Sequence, residues 1–231
     1  MTGEATVTRL DLGPERWLTD GVAPAGQPGH RVAELLPAGY EVYLRLFHTF
    51  TSWRVPGRRT WRSLADEAGV TFHREIVWAS LKPALLHDGR GHRYEVADGY
   101  LEPVTRAALY RRLSAAGDKG PVFFYYGLSA IVRGIPPLLW SAPLDAGDEV
   151  QRRADAVAGV ELAGPEYVWP ADRSWIVNTD YDLVSTYLAC SQMTAPALEE
   201  DPVLEILRVD LDTRVDDGAD QLNGFRPRGE S

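Results

Sequence analysis

The chain has 231 residues, 45% of them hydrophobic and 25% charged, so it can bury one ordinary core without a disulfide or a structural metal. Its 33 acidic against 24 basic residues give a net charge of −9. That balance opposes docking on nucleic-acid phosphates and anionic membranes, and is compatible with a basic partner or with solubility alone.

The opening Met1-Thr2-Gly3-Glu4-Ala5 has neither the basic start nor the apolar centre of a signal peptide. Residues 1–30 are rich in Gly, Pro and Thr and read as a loop-rich segment. Residues 40–48 are β-formers with mostly apolar even positions, which predicts a strand. Its second face (Glu41, Tyr43, Arg45, Phe47) mixes polar and aromatic groups, as a half-covered sheet would. Thr60 to Gly69 predicts a short helix, capped by Thr60, with Trp61, Leu64, Ala65 and Ala68 on one side. His87-Asp88-Gly89-Arg90-Gly91-His92 reads as an exposed hairpin tip, not as a metal site, because Asp-Gly is a tight-turn signal. Glu102-Pro103 opens a second helix that runs to about Ala116.

Pro121 to Leu128 is aromatic and predicts a central strand. The longest apolar run, Val122 to Val132, is too short for a membrane span and stops at Arg133. Asp148 to Ala158 predicts a third helix. Trp175–Thr179 and Val184–Cys190 predict paired strands around a turn at Asp180-Tyr181-Asp182. Ala195 to Leu207 reads as a last helical region divided by Pro196 and Pro202, and 216–231 as a flexible tail. Short strands in hairpins with helices between them, without repeated βαβ units, define an α+β class: a mostly antiparallel sheet with helices packed on it, in one domain over 31–215.

No motif spells out a reaction or calls for a cofactor. Tyr126-Gly127-Leu128-Ser129-Ala130 begins like a nucleophile elbow but lacks its second glycine. Cys190 stands alone, so no intramolecular disulfide can form and a reducing cytoplasm is the expected compartment. His48 and His73 are candidate general bases, for which a half-buried structural role is the commoner fate. The segment from Trp169 to Tyr187 gathers Asp172, Arg173, Trp175, Asp180 and Asp182 among aromatic residues. It reads either as a recognition surface or as a structural corner, with Arg173 expected to hold Asp180 or Asp182 across the hairpin or, failing that, an anionic group on a ligand.

Those residues carry a resemblance. Trp169-Pro170-Ala171-Asp172-Arg173, then Trp175, Val177, Thr179, Asp180 and Asp182, followed by Ser185-Thr186-Tyr187, resemble a segment of a group of uncharacterised actinobacterial proteins. The strand from Pro37 through Arg45 to His48 and the helix Thr60–Ala65 are similar to that group as well, so the likeness covers most of 35–215. It implies no activity. By size, acidity and mixed order the chain also resembles bacterial immunity proteins of the SMI1/KNR4-like kind. The expectation is a non-catalytic cytoplasmic binding or interaction protein of the immunity kind, whose partner is a protein or a small molecule and not nucleic acid or membrane. The alternative is a small enzyme or small-molecule-binding protein. Its aromatic and Arg/Asp-lined pocket would draw on Arg45, His48, Trp61, Asp172, Arg173 and Trp175, while Trp169, Asp180, Asp182 and Tyr187 join these as candidates for binding a ligand or a partner.

Overall fold

Alternation along one strand decides where the layers go. In β2 (Val42–Phe47) the side chains of Val42, Leu44 and Leu46 join one apolar cluster, whereas Tyr43 joins a second and Phe47 a third. The computed structural model describes residues 6–24, 30–52, 57–85, 94–116 and 120–224. Within them an eight-stranded sheet runs in the order β1 (Thr8–Leu10), β6 (Leu138–Ala142), β5 (Val122–Tyr126), β7 (Tyr167–Pro170), β8 (Ile176–Asn178), β9 (Ser185–Cys190), β2 and β10 (Ile206–Val209). Every neighbouring pair is antiparallel. A separate two-stranded hairpin joins β3 (Phe50–Thr51) to β4 (Arg58–Arg59). The chain is therefore α+β, with helices packed on a mostly antiparallel sheet.

Both faces of the sheet are covered. On one, Leu44, Leu46, Phe124, Val168, Val177 and Leu188 meet Leu109 and Leu113 of α4 (Pro103–Ala116), Val150 and Ala154 of α6 (Gly147–Ala158), and Leu198 of α7 (Ala195–Glu199). On the other, Leu139, Trp169, Ile176, Tyr187 and Ala189 meet Leu18 of α1 (Arg16–Gly21) and Val32 and Leu36 of the following turn. Beyond the end of β2, Phe47 and Phe50 pack on Trp61, Leu64 and Ala65 of α2 (Trp61–Ala68) and on Ala84 and Leu85 of α3 (Lys82–Leu85). Each fully buried Leu or Phe in these clusters contributes roughly 1.5–3 kcal/mol relative to exposure. The Thr60 side chain caps α2 by accepting from the Ser63 amide at 3.2 Å.

The second face of β2 is half-covered, as its mixed composition suggests: Glu41 is exposed and Tyr43 part-buried, whereas Arg45 and Phe47 are buried where α2 and the segment around Arg74 close over that end. Several expectations change. The strand from Pro121 ends at Tyr126, and Leu128 opens the short helix α5 (Leu128–Ile131). The last helical region stops at Glu199. Pro202 cannot continue a helix, and Ile206–Val209 instead completes the sheet edge against β2. Residues 6–24 contribute β1 and α1 rather than loop alone. The tail is pinned as far as Asn223. The buried Asp220 carboxylate accepts from His73 Nε2 at 2.9 Å, Ser80 Oγ at 2.6 Å and Asn223 Nδ2 at 2.8 Å. His87–His92 lies outside the described residues. Among the described residues no helix is long and apolar enough to cross a membrane.

Candidate functional site

β2 and its neighbours carry Arg45, Tyr187, His48 and Trp61. Arg45 and Tyr187 are register partners on β2 and β9 and share a face. The Arg45 guanidinium donates through Nε to Ser185 Oγ at 2.9 Å and through Nη1 to the Arg74 carbonyl at 2.8 Å, and stands 4.3 Å from the Phe47 ring centroid. No carboxylate lies within ion-pair distance of it among the described residues. Burial pulls its pKa down and pushes that of Tyr187 up.

His48 follows just past the end of β2, on the opposite side of the sheet. Its Nδ1 faces the Ala97 carbonyl at 2.9 Å and its Nε2 faces Thr186 Oγ1 at 3.0 Å. A carbonyl only accepts, so Nδ1 carries the proton and Nε2 accepts from Thr186. The Thr186 hydroxyl in turn accepts from Thr179, 2.9 Å away. Burial holds the imidazole at a pKa of about 4, with Arg45 adding to the depression and the Ala97 bond opposing it. This ring is neutral, buried and hydrogen-bonded within the protein at both nitrogens. Trp61 is buried and donates its indole N–H to the His48 carbonyl at 2.8 Å. His73 is tied to Asp220.

Asp172 and Arg173 lie at the other end of the sheet, in the turn between β7 and β8. Asp172 Oδ1 accepts from the amide and the hydroxyl of Ser174. Arg173 has φ of 56°, its carbonyl accepts from Tyr40 Oη at 2.9 Å, and its guanidinium lies 4.6 Å from the Trp17 ring centroid. The expected pair with Asp180 or Asp182 is not formed, because those residues belong to the turn at the far end of β8. Trp169 is buried in a stack on Phe123 (centroids 5.4 Å apart) and meets Trp17 edge-on. Trp175 is buried on the opposite face, and its Nε1–H meets no acceptor among the described residues. The ten candidate residues thus occupy separate places and do not line one pocket.

Asp180 and Asp182 do share a surface. Asp180 Oδ1 accepts from the Asp182 amide at 3.0 Å and so shapes its own turn. Gly99 seats against that turn at φ of 61°, where a Cβ would lie 2.5 Å from the Tyr181 carbonyl oxygen. The two aspartates line a depression of about 320 Å³ with Leu183, Leu35, Val215 and Leu128, and with Glu34, Asp216 and His30. Glu34 meets His30 at 2.8 Å and Asp216 meets Arg214 at 2.6 Å. Neither Asp180 nor Asp182 has a Lys or Arg within ion-pair distance among the described residues. Burial pushes the Asp180 carboxyl up, the Asp182 charge adds to that, and the Asp182 amide opposes it. Among the described residues no group of three or more ligating side chains is placed to hold a metal ion.

Leu128, on the wall of this depression, belongs to α5. Its first amides are held by a residue distant in sequence. Glu166 Oε2 accepts from Gly127 and Leu128, both at 2.6 Å, and Oε1 accepts from Ser129 at 2.9 Å. Burial pushes the Glu166 pKa up against these three amides. Ser129 is buried and its hydroxyl donates to the Gly164 carbonyl at 3.3 Å, so it is not presented as an elbow nucleophile would be. The outer face of α5 is apolar: Leu128, Ile131 and the capping Val132 are 41%, 55% and 49% exposed. Sequence reasoning missed Glu34, Asp216 and Glu166. For α5 the signal was present, since the apolar run continues through Val132 after the strand pattern ends.

Comparison with family models, with curated proteins and with solved structures finds no match.

Proposed function

We propose that the chain is a non-catalytic binding protein of the cytoplasm that docks on another protein, in the manner of an immunity protein. One observation carries the reading: a four-residue helix and its cap show three apolar side chains to solvent and are held in place by a buried carboxylate. So short a helix has no stability of its own, so the fold spends Glu166 on presenting that face. The reactive groups supply support from the other side. His48 is neutral and bonded at both ring nitrogens, Arg45 is engaged inside the sheet layers, and Asp172 and Asp180 shape their own turns. The lone buried thiol of Cys190 accords with a reducing compartment.

A photo-crosslinking residue introduced at position 131, and as a control at the exposed Val160, tests this in cells. The expected result is a discrete protein adduct from position 131 and none from 160. Adducts at neither position, or equal adducts at both, would overturn the reading.

A further inference from the structure

We infer that the partner presents a basic, amphipathic segment, whose apolar residues cover Leu128, Ile131 and Val132 while an arginine or lysine side chain enters the adjoining depression. The inference rests on the reading of the chain as a protein-binding protein and adds the partner's chemistry.

Three observations select this occupant. The apolar face and the depression are continuous, because Leu128 belongs to both. Four of the lining residues are apolar and five ionisable, so a side chain with a long apolar stem and a cationic head suits both. At about 320 Å³ the depression lies at the small end of ligand sites, of the size for one inserted side chain.

Charge decides the sign. Glu34 and Asp216 already have partners in His30 and Arg214, while Asp180 and Asp182 have no Lys or Arg within ion-pair distance among the described residues, and Asp180 feels His30 only through space. A guanidinium can take a carboxylate with two parallel hydrogen bonds and needs no other group to complete it. The net charge of −9 also draws a basic segment toward the chain before contact. An anionic membrane would meet repulsion here, and a second copy placed face to face would set these aspartates against their own kind.

The test uses the full chain and labelled synthetic peptides: an amphipathic peptide with a leucine face edged by arginines, and the same peptide with glutamine at each arginine. Binding is read by fluorescence anisotropy. The arginine peptide is expected to bind about tenfold tighter than the glutamine peptide, with the difference shrinking as salt rises. Asp180→Asn/Asp182→Asn should remove that preference. The side-chain carbonyl oxygen that this change leaves at position 180 can still accept from the backbone amide at 182, so the turn persists, and unchanged melting checks this. Ile131→Asp should weaken both peptides. Equal binding of the two peptides to wild type, both lost in Ile131→Asp, would overturn the basic partner while leaving a docking face in place. Binding of neither peptide would also overturn it, and the crosslink from position 131 then decides separately whether the chain docks on a protein at all.

Discussion

Glu166 and Gly127 meet at 2.6 Å, carboxylate oxygen to backbone amide, across a separation of 39 residues. A Cβ at position 127 would lie 2.7 Å from that same oxygen and 2.7 Å from Cε1 of Tyr125, so a side chain there would push on both. The amides of Leu128 and Ser129 complete the set.

Glu166→Gln keeps the size of the side chain and replaces one acceptor by a donor. At least one of the three amides then faces an NH₂ group in a buried place. Stability should fall by roughly 2–3 kcal/mol, as expected for a lost charge-assisted bond with a stranded donor. Hydrogen exchange at residues 127–129 should speed up by more than that at the centre of β5. Wild-type stability together with wild-type exchange would mean that α5 holds itself.

His48 gives a pH dependence with a definite sign. Burial lowers its pKa from 6.5 to about 4, so the unfolded chain takes up a proton on this ring before the folded chain does. The neutral, buried ring therefore supports the fold fully above pH 6.5. That support fades as pH falls from 6.5 towards 4, by about 3 kcal/mol over the window. Denaturant unfolding followed across this range should show a steeper loss for the wild type than for His48→Gln, which has no proton to gain. Parallel curves for the two proteins would show that the ring titrates in the folded state much as it does in the unfolded one. The comparison must be differential, since buried Glu166 and part-buried Glu205 and Asp180 have raised pKa values and act in the opposite direction.

Part of this was legible in the sequence for physical reasons. Local signals act over one turn or one strand: the alternation in β2, the Thr60 cap and the Pro103 start all depend on neighbours a few residues away, and each marks its element. β6 was not legible, because Leu138-Leu139-Trp140 is a short apolar run without a period and follows Pro136-Pro137. β10 was hidden by residues 204–207, whose leucines and isoleucine also suit a helix, and only pairing with β2 decides between the two. At the surface, Asp180 and Asp182 stood out because they lie together in a turn. Glu34, Asp216 and Glu166 come to the same end of the molecule from distant parts of the chain, and nothing in their own surroundings in sequence marks them. The aromatic and charged richness of 169–187 proved divided by geometry. One strand, β8, separates the Arg173 corner from the Asp180 turn, and so the residues that looked like one site serve opposite ends of the sheet.

Arg45 offers the sharpest contrast between charge and hydrogen bonding. It is a buried cation without a carboxylate within ion-pair distance among the described residues, and burial alone disfavours its charge. What holds it is the fork: Nε on Ser185, Nη1 on the Arg74 carbonyl, and the plane close to the Phe47 ring. Lysine keeps the charge and loses the fork, so Arg45→Lys should cost roughly 3–5 kcal/mol, as an uncompensated buried charge does. Arg45→Met loses both bonds but removes the buried charge, and methionine adapts to the space beside Phe47 and Trp61. Its cost should be smaller, about 1–3 kcal/mol for the stranded Ser185 hydroxyl and Arg74 carbonyl. Urea midpoints of the two variants against wild type decide the order. If Met proves the more damaging, the two hydrogen bonds outweigh the desolvation of the charge, and Arg45 is a tether for the segment around Arg74 rather than a tolerated buried cation.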